Sequence, residues 1–149
     1  MTYTELAKRA RVTRQTLYRH WPTREALFVD LVLQQAVGAL PAASGAPEQI
    51  VKGFLRNMRA GMDDPSNANA LTALIAQADH DPTSHTVLNS VIADRQAALN
   101  QLLEPAGVTV DADQYARLCG PVLFQRFFAR APVTDDLIEQ LVATWSEER

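Results

Sequence analysis

The polar residues that begin helices recur along this chain, and no segment alternates apolar and polar positions as a β-strand does. Pro47, Pro65 and Pro82 each stand where a first helical residue is favoured, and Asp111 and Thr134 are suited to cap two further helices. We therefore expect an all-α fold. The predicted helices span residues 3–10, 14–20, 24–38, 47–61, 66–79, 83–104, 112–130 and 135–147.

The first two predicted helices have the spacing of a helix-turn-helix. Apolar anchors that would fix their crossing angle are Leu6, Ala7, Ala10, Val12 and Leu17. The second helix then presents a polar face. Its arginine and glutamine suit guanine and adenine edges, and its threonine, tyrosine and histidine suit phosphate oxygens. This face comprises Arg14, Gln15, Thr16, Tyr18, Arg19 and His20. The alternative is an ordinary helical hairpin with a solvated basic face.

The charge is unevenly distributed along the 149 residues, whose formal net charge is -3. Residues 1–30 carry six basic and three acidic side chains, whereas residues 31–149 carry eight basic and 14 acidic ones. A basic N-terminal segment on an acidic body is typical of a protein that contacts nucleic acid at one end.

Residues 2–31 resemble the DNA-binding head of the tetracycline-repressor-like (TetR) family. The residues that carry the resemblance are Thr2, Leu6, Ala7, Ala10, Val12, Thr16, Leu17, Tyr18, His20, Trp21, Arg24 and Leu27. It implies that Thr13, Arg14, Gln15 and Thr16 reach bases or nearby phosphates. Tyr18 and His20 would contact phosphate, and Arg24 would clamp a phosphate at the start of the next helix. Trp21 and Leu27 would lie in the core.

The chain departs from the family pattern in two places. Arg11 occupies a turn position that usually holds glycine, at a cost of about 1 kcal/mol if the left-handed geometry is kept. A helix that the family has before the position of Thr2 has no counterpart here. We therefore expect residues 1–22 to be less buried and less stable than the family norm, and DNA binding to be weak. The predicted domains are an incomplete head at 1–40 and a helical ligand-binding and dimerisation domain at 41–149.

Residues 119–145 resemble the final helix pair of one branch of the family. In that family the last two helices of two subunits form a four-helix dimer bundle. Apolar residues on these helices support the same interpretation, and the predicted interface is Leu118, Val122, Leu137, Leu141 and Trp145. The alternative is a monomeric core built from the same residues. Pro121, inside this pattern, should kink its helix.

The resemblance also implies an effector pocket between the helices of the body. The candidate lining residues are Phe54, Met58, Met62, Leu74, Gln77, Phe124 and Phe128. Few polar side chains are predicted to point inward, which favours a largely apolar ligand of unknown identity. The same stripe of methionine and aromatic residues also fits an ordinary core.

An enzyme is not expected, because the sequence has no Gly-rich phosphate loop, no CxxC and no Ser/His/Asp order. Asp79, His80, Asp81 and His85 could bind a metal, but solvated side chains explain them as well. Cys119 is expected to be a small buried hydrophobe. We expect no cofactor, no metal and no membrane segment, and a cytoplasmic location.

The resemblance implies a ligand-responsive repressor that binds a palindromic operator in double-stranded DNA as a homodimer. Its partners would be DNA, a second copy of the chain and a small-molecule effector. The alternative is a helical dimer that does not bind DNA, an interaction or small-molecule-binding protein, because the head lacks its first helix.

Overall fold

The computed structural model describes residues 3–23, Leu27 and 45–149, and every regular element in these residues is helical. The all-α prediction is confirmed. Of the predicted helix 24–38, Leu27 is helical and the rest lies outside the described residues. The elements are α1 (Tyr3–Ala10), α2 (Arg14–His20), α3 (Pro47–Asp63), α4 (Pro65–Ala78), α5 (Pro82–Leu103), a 3₁₀ turn (Glu104–Ala106), α6 (Ala112–Leu123), a π-helical turn (Phe124–Phe128) and α7 (Asp135–Glu147).

Helices of the body begin where the sequence predicts, because side chains satisfy their free backbone amides. The Asp64 carboxylate accepts hydrogen bonds from the amides of Ser66 and Asn67, at 2.8 and 3.2 Å. Asp111 accepts from the amide of Gln114 at 2.8 Å, and the Gln114 side chain accepts from the Asp111 amide at 3.1 Å. This reciprocal capping box fixes the start of α6.

Helix α3 lies at the centre of the body and packs against α4, α5, α6 and α7. Its inward face is fully buried at Val51, Phe54 and Leu55. These side chains join one continuous core, whose other buried members are Met62, Leu99, Leu103, Val110, Tyr115, Leu118, Cys119, Val122, Val133, Ile138, Val142 and Trp145. Because so much of its apolar surface is buried, α3 is the scaffold on which any binding site of the body is built.

Helix α6 is shorter than predicted. Its α-helical part ends at Leu123, two residues after Pro121, and a π-helical turn follows. In this turn the Ala129 amide donates to the Phe124 carbonyl at 3.0 Å, five residues back. A π turn takes one more residue than an α turn and so rotates the side chains that follow. The prediction of one continuous helix over 112–130 was wrong beyond Leu123.

Three ion-paired connections hold α3 to α7 or to the C-terminus. Asp135 accepts from Arg56 and Arg59, at 3.2 and 3.0 Å. The other two connections are Lys52 with Glu139 and Glu48 with Arg149. None of the described helices is long and apolar enough to cross a bilayer.

Candidate functional sites

The turn between α1 and α2 keeps the left-handed geometry of a helix C-terminus. Arg11 has a φ of 54°, and the Val12 amide donates to the Ala7 carbonyl at 3.1 Å. This six-residue hydrogen bond is that of a Schellman motif, in which glycine is the usual left-handed residue. The predicted backbone conformation at Arg11 is therefore present, with its steric cost.

Thr13 caps the second helix. Its hydroxyl oxygen accepts from the Thr16 amide at 3.1 Å, and the two hydroxyl groups lie 2.8 Å apart. The cap fixes the first turn of α2 and therefore the direction in which the following side chains point. Thr13 is thus the N-cap of α2.

A small apolar contact fixes α2 against its neighbours. Ala7, Leu17 and Leu27 are buried together, with Trp21 packed partly against them. The core positions that the resemblance implied for Trp21 and Leu27 are thus occupied as expected. Burial of Leu17 leaves the remainder of α2 facing outward.

The predicted DNA contacts that the structure describes share this outward face. All of them are exposed, and they form one continuous polar and basic surface at Thr13, Arg14, Gln15, Thr16, Tyr18 and His20. Arg24 lies outside the described residues. The surface matches what a recognition helix needs, since arginine and glutamine are available to base edges and hydroxyl groups to phosphates.

The body contains a cavity of about 260 Å³ between α3, α4, α5 and α6. It is partly open, and most of its wall is apolar. The lining residues are Asn57, Met58, Gly61, Met62, Asn67, Leu71, Ile75, Leu88, Val91, Ile92, Arg95, Tyr115, Cys119 and Leu123. The volume is just below the range of about 300–1,000 Å³ that is common for ligand pockets. A small ligand would fit it.

Two of the seven predicted pocket residues, Met58 and Met62, line this cavity. Phe54 and Leu74 are buried in the surrounding core and do not reach it. Gln77 lies outside the lining, and its side-chain oxygen accepts from Ser84 at 3.4 Å.

Phe124 and Phe128 also lie outside the cavity and correct the predicted pocket. Their side chains are 59% and 78% exposed. The two rings stack on each other with centroids 5.8 Å apart and nearly parallel planes. Both residues belong to the π-helical turn, which replaces the last part of the predicted α-helix over 112–130.

The cavity wall includes buried polar groups that the sequence analysis missed. The Arg95 side chain stacks over the Phe54 ring, with its guanidinium carbon 5.1 Å from the ring centroid. Arg95 is only 7% exposed, and its Nη1 atom has no hydrogen-bond partner. The side-chain oxygen of Asn57 is likewise buried without a donor. Such groups are rare in folded proteins and call for a specific explanation.

Tyr115 and Cys119 stand beside Arg95 and are un-ionised at neutral pH. Burial raises the pKa of the Tyr115 hydroxyl well above its ordinary value of 10. Burial also raises the pKa of the Cys119 thiol to about 11. Neither side chain therefore supplies a negative charge to Arg95 near pH 7.

A sequence signal for these polar groups existed. Leu88, Val91, Ile92, Arg95 and Leu99 follow the spacing of one apolar face of α5. An arginine at a core-facing position of an otherwise apolar stripe is unusual and marks a buried charge. Asn57 interrupts the inward face of α3 in the same way.

The predicted dimer residues are mostly part of the core of a single chain. Leu118, Val122 and Trp145 are 2%, 0% and 3% exposed. They can therefore add little area to an interface, which corrects their assignment as its main contacts. Leu137 and Leu141 are half-buried. These two line a surface groove between α6 and α7, together with Gln114, Arg117, Leu118, Gln140, Thr144, Trp145 and Glu148.

Asp81, one of the residues considered as a metal ligand, caps α5. Its carboxylate accepts from the Ser84 amide at 2.8 Å and from the Ser84 hydroxyl at 2.6 Å. These hydrogen bonds hold the pKa of Asp81 below its ordinary value. Over residues 3–23, Leu27 and 45–149, no three His, Cys, Asp or Glu side chains are grouped as metal ligands are.

Several known proteins are similar to this chain in sequence or structure. Helix-turn-helix-type transcriptional regulators of Mycobacterium tuberculosis and Mycobacterium bovis are 23% identical to this chain over 155 residues, covering 95% of this chain and 74% of each relative. A crystal structure of a TetR-family transcriptional regulator from Mesorhizobium loti has a TM-score of 0.44 and 20% identity, and the match covers 99% of this chain and 84% of that one.

Two family profiles cover nearly the whole sequence. Residues 1–31 match the profile described as bacterial regulatory proteins of the tetR family. Residues 41–145 match the profile described as the tetracyclin repressor-like C-terminal domain. The resemblance drawn from residues 2–31 is thereby confirmed, and the chain belongs to the TetR family of transcriptional regulators.

Proposed function

We propose that this regulator is a ligand-responsive repressor that binds a palindromic DNA operator as a homodimer in the cytoplasm. A head at residues 1–40 would bind DNA, and a body at 41–149 would dimerise and bind the effector. The observation that carries the proposal is the exposed polar and basic face of α2.

In DNA binding, α2 would enter the major groove. Arg14 and Gln15 at its N-terminal end would contact base edges, since the first turn of a recognition helix is the part that reaches the bases. Thr13 and Thr16 would contact bases or nearby phosphates. Tyr18, His20 and Arg24 would bind phosphates and set the position of the helix in the groove.

Dimerisation would bring two such heads to a two-fold symmetric site. The stacked Phe124 and Phe128 rings are an exposed apolar pair directly after α6. Large exposed aromatic pairs are costly in water and mark interfaces. The half-buried Leu137 and Leu141 line the adjoining groove. We place the interface on this surface of α6, the π-helical turn and α7.

The effector would occupy the cavity bordered by α3, α4, α5 and α6. A ligand lowers DNA affinity only if it binds more tightly to the arrangement of heads that fits DNA poorly. Residues 24–38 connect head and body along the chain and would transmit this preference. Reciprocity then requires that operator DNA also lower the affinity for the effector.

The test is selection of bound duplexes from a random DNA library, followed by affinity measurements on the selected duplex and a shuffled control. A repressor of this kind enriches an inverted repeat and binds it more tightly than the shuffled duplex. Equal affinity for both duplexes that moderate salt abolishes would contradict operator recognition. A stable dimer without DNA affinity would favour the alternative, a helical dimer with another partner.

A further inference from the structure

Among the arginines whose burial the structure describes, only Arg95 is almost completely buried. It lies in the wall of the α3–α6 cavity, and its Nη1 donor group has no acceptor. Among the residues that the structure describes, the ion pairs of the body all lie elsewhere, at Lys52, Arg56, Arg59, Arg117 and Arg149.

A guanidinium carries a positive charge in proteins, because it does not release its proton there. The neighbouring ring of Phe54 attracts the cation but accepts no strong hydrogen bond. Removing a charge from water without a counter-ion is unfavourable, and cores usually avoid it. A bound ligand with a negative charge would explain the buried Arg95 guanidinium, because it would supply the missing counter-ion from the open cavity.

We propose that the cavity binds a small molecule with an apolar body and a carboxylate, and that Arg95 pairs with this carboxylate. This proposal rests on the proposed function, because it takes the cavity to be the effector site. A planar guanidinium binds a carboxylate through two parallel hydrogen bonds, which a neutral group of the same shape does not reproduce.

The remaining wall fits the other end of such a molecule. Leu71, Ile75, Leu88 and Ile92 from α4 and α5 offer a hydrocarbon surface. Asn57 from α3 adds a polar side chain to the same wall. The volume of about 260 Å³ restricts the ligand to small acids.

Calorimetry on the full chain tests the proposal with pairs of probes that differ only in charge. Hexanoate, octanoate and phenylacetate are each compared with the corresponding primary amide at about pH 7. The acids are expected to bind at least about tenfold more tightly than the amides. In Arg95→Met, which keeps an unbranched apolar stem and removes the charged guanidinium, this preference should vanish. Arg130→Met, at an exposed arginine outside the cavity, should retain it.

A stability measurement separates ligand binding from a structural role. If the Arg95 charge is unpaired until a ligand binds, removing it should not destabilise the fold. Arg95→Met without ligand should then unfold at the same or a higher temperature than the parent. A large loss of stability together with an unchanged preference for acids would overturn the proposal. Should Arg95→Met fail to fold, the Nε–H resonance of Arg95 in the unaltered chain must still shift on addition of octanoate. Equal binding of acids and amides, or no binding of any acid, also overturns it.

The same acids and amides, added to the complex with DNA, test the carboxylate site and the proposed ligand response independently. Acids that bind through Arg95 and leave DNA affinity unchanged would support the carboxylate site and contradict the ligand response. Conversely, release of DNA by the amides as readily as by the acids would support the response and contradict the role of Arg95.

Discussion

Asn100 and Val110 exchange two hydrogen bonds across the connection between α5 and α6. The Val110 amide donates to the Asn100 side-chain oxygen at 2.8 Å, and the Asn100 amide group donates to the Val110 carbonyl at 3.1 Å. Val110 is buried, so water does not readily replace either partner. Together with Gln96, which also donates to the Val110 carbonyl at 3.0 Å, Asn100 sets where the chain re-enters the core before α6.

The first prediction follows from this pair. Asn100→Ala should lower the free energy of unfolding by about 1–2 kcal/mol, because the buried Val110 amide loses its acceptor, whereas the Val110 carbonyl keeps the Gln96 side-chain amide at 3.0 Å. Urea denaturation of the full chain measures the change. Asn89→Ala is the matched control on the exposed side of the same helix and should cost less than about 0.5 kcal/mol. Equal losses in the two variants would contradict the importance assigned to this connection.

Local chemistry made most helix boundaries predictable. Pro47, Pro65 and Pro82 begin helices because their lack of an amide hydrogen costs nothing in a first turn. Thr13 and Asp111 begin helices because their own side chains bond amides three residues on. Such signals need no knowledge of distant residues.

The cavity was less predictable because it depends on how distant helices meet. Of the predicted lining residues, Met58 and Met62 do line it, whereas Phe124 and Phe128 lie in the π-helical turn and are exposed. Arg95 was missed although it interrupts an apolar stripe of α5. A periodic pattern shows which face is inward, whereas the shape of the space it faces is set by the other helices.

The second prediction concerns Arg11, whose φ is 54°. Arg11→Gly should stabilise the head by about 0.5–1 kcal/mol. Glycine relieves the left-handed strain, and its greater conformational freedom in the unfolded chain offsets part of this gain. Native-state hydrogen exchange of the amides of α1 and α2 reports this local change. Arg11→Ala removes the same charge and keeps the strain, so it is the control. Equal protection in the glycine and alanine variants would show that the turn is not strained.

The third prediction concerns Asp135 at the start of α7. Hydrogen bonds from Arg56 and Arg59 hold the pKa of this carboxyl below its ordinary value of 3.8. Because the folded-state pKa is the lower one, the interaction stabilises the fold above the unfolded-state pKa. The stabilisation is lost as the pH falls through the folded-state pKa. Asp135→Asn should therefore be less stable than the parent at about pH 7, and the difference should shrink below about pH 4.

Asp136→Asn is the control for this pH dependence, because it removes a carboxylate from the same first turn of α7. Any effect of the helix dipole is thereby matched. Urea denaturation at several pH values compares the three proteins. A stability difference for Asp135→Asn that stays constant from neutral to acidic pH would mean that the ion pairs do not cause it.

The fourth prediction addresses the dimer. Sedimentation at micromolar concentration should show a species of twice the chain's 16.4 kDa. Phe124→Ser combined with Phe128→Ser should weaken the dimer by at least about tenfold, since exposed aromatic pairs are frequent centres of binding energy. Ile92→Ser is the control, because it removes an apolar side chain that is 46% exposed on α5, outside the proposed interface. This variant should still sediment as a dimer. A chain that sediments only as a monomer refutes the proposed dimer.

The last prediction separates base contacts from phosphate contacts on α2. Arg14→Ala and Gln15→Ala should each reduce discrimination between the selected operator and its shuffled control, by about 1–3 kcal/mol for each lost two-pronged contact. Tyr18→Phe and Arg24→Ala should instead weaken binding to both duplexes alike. Arg24→Ala should also flatten the dependence of affinity on salt, because it removes one neutralised phosphate.

Fluorescence anisotropy at several salt concentrations measures both effects on the same proteins. The Thr13 cap must remain intact in each variant, which the helical circular dichroism signal checks. Lys8→Ala removes an exposed charge from α1, outside the recognition helix, and is the control for a general loss of positive charge. Lys8→Ala should change only how DNA affinity depends on salt concentration and should leave discrimination between the two duplexes unchanged. If Arg14→Ala and Arg24→Ala reduced discrimination by the same amount, the division of α2 into a base-reading N-terminal turn and phosphate-binding flanks would be wrong.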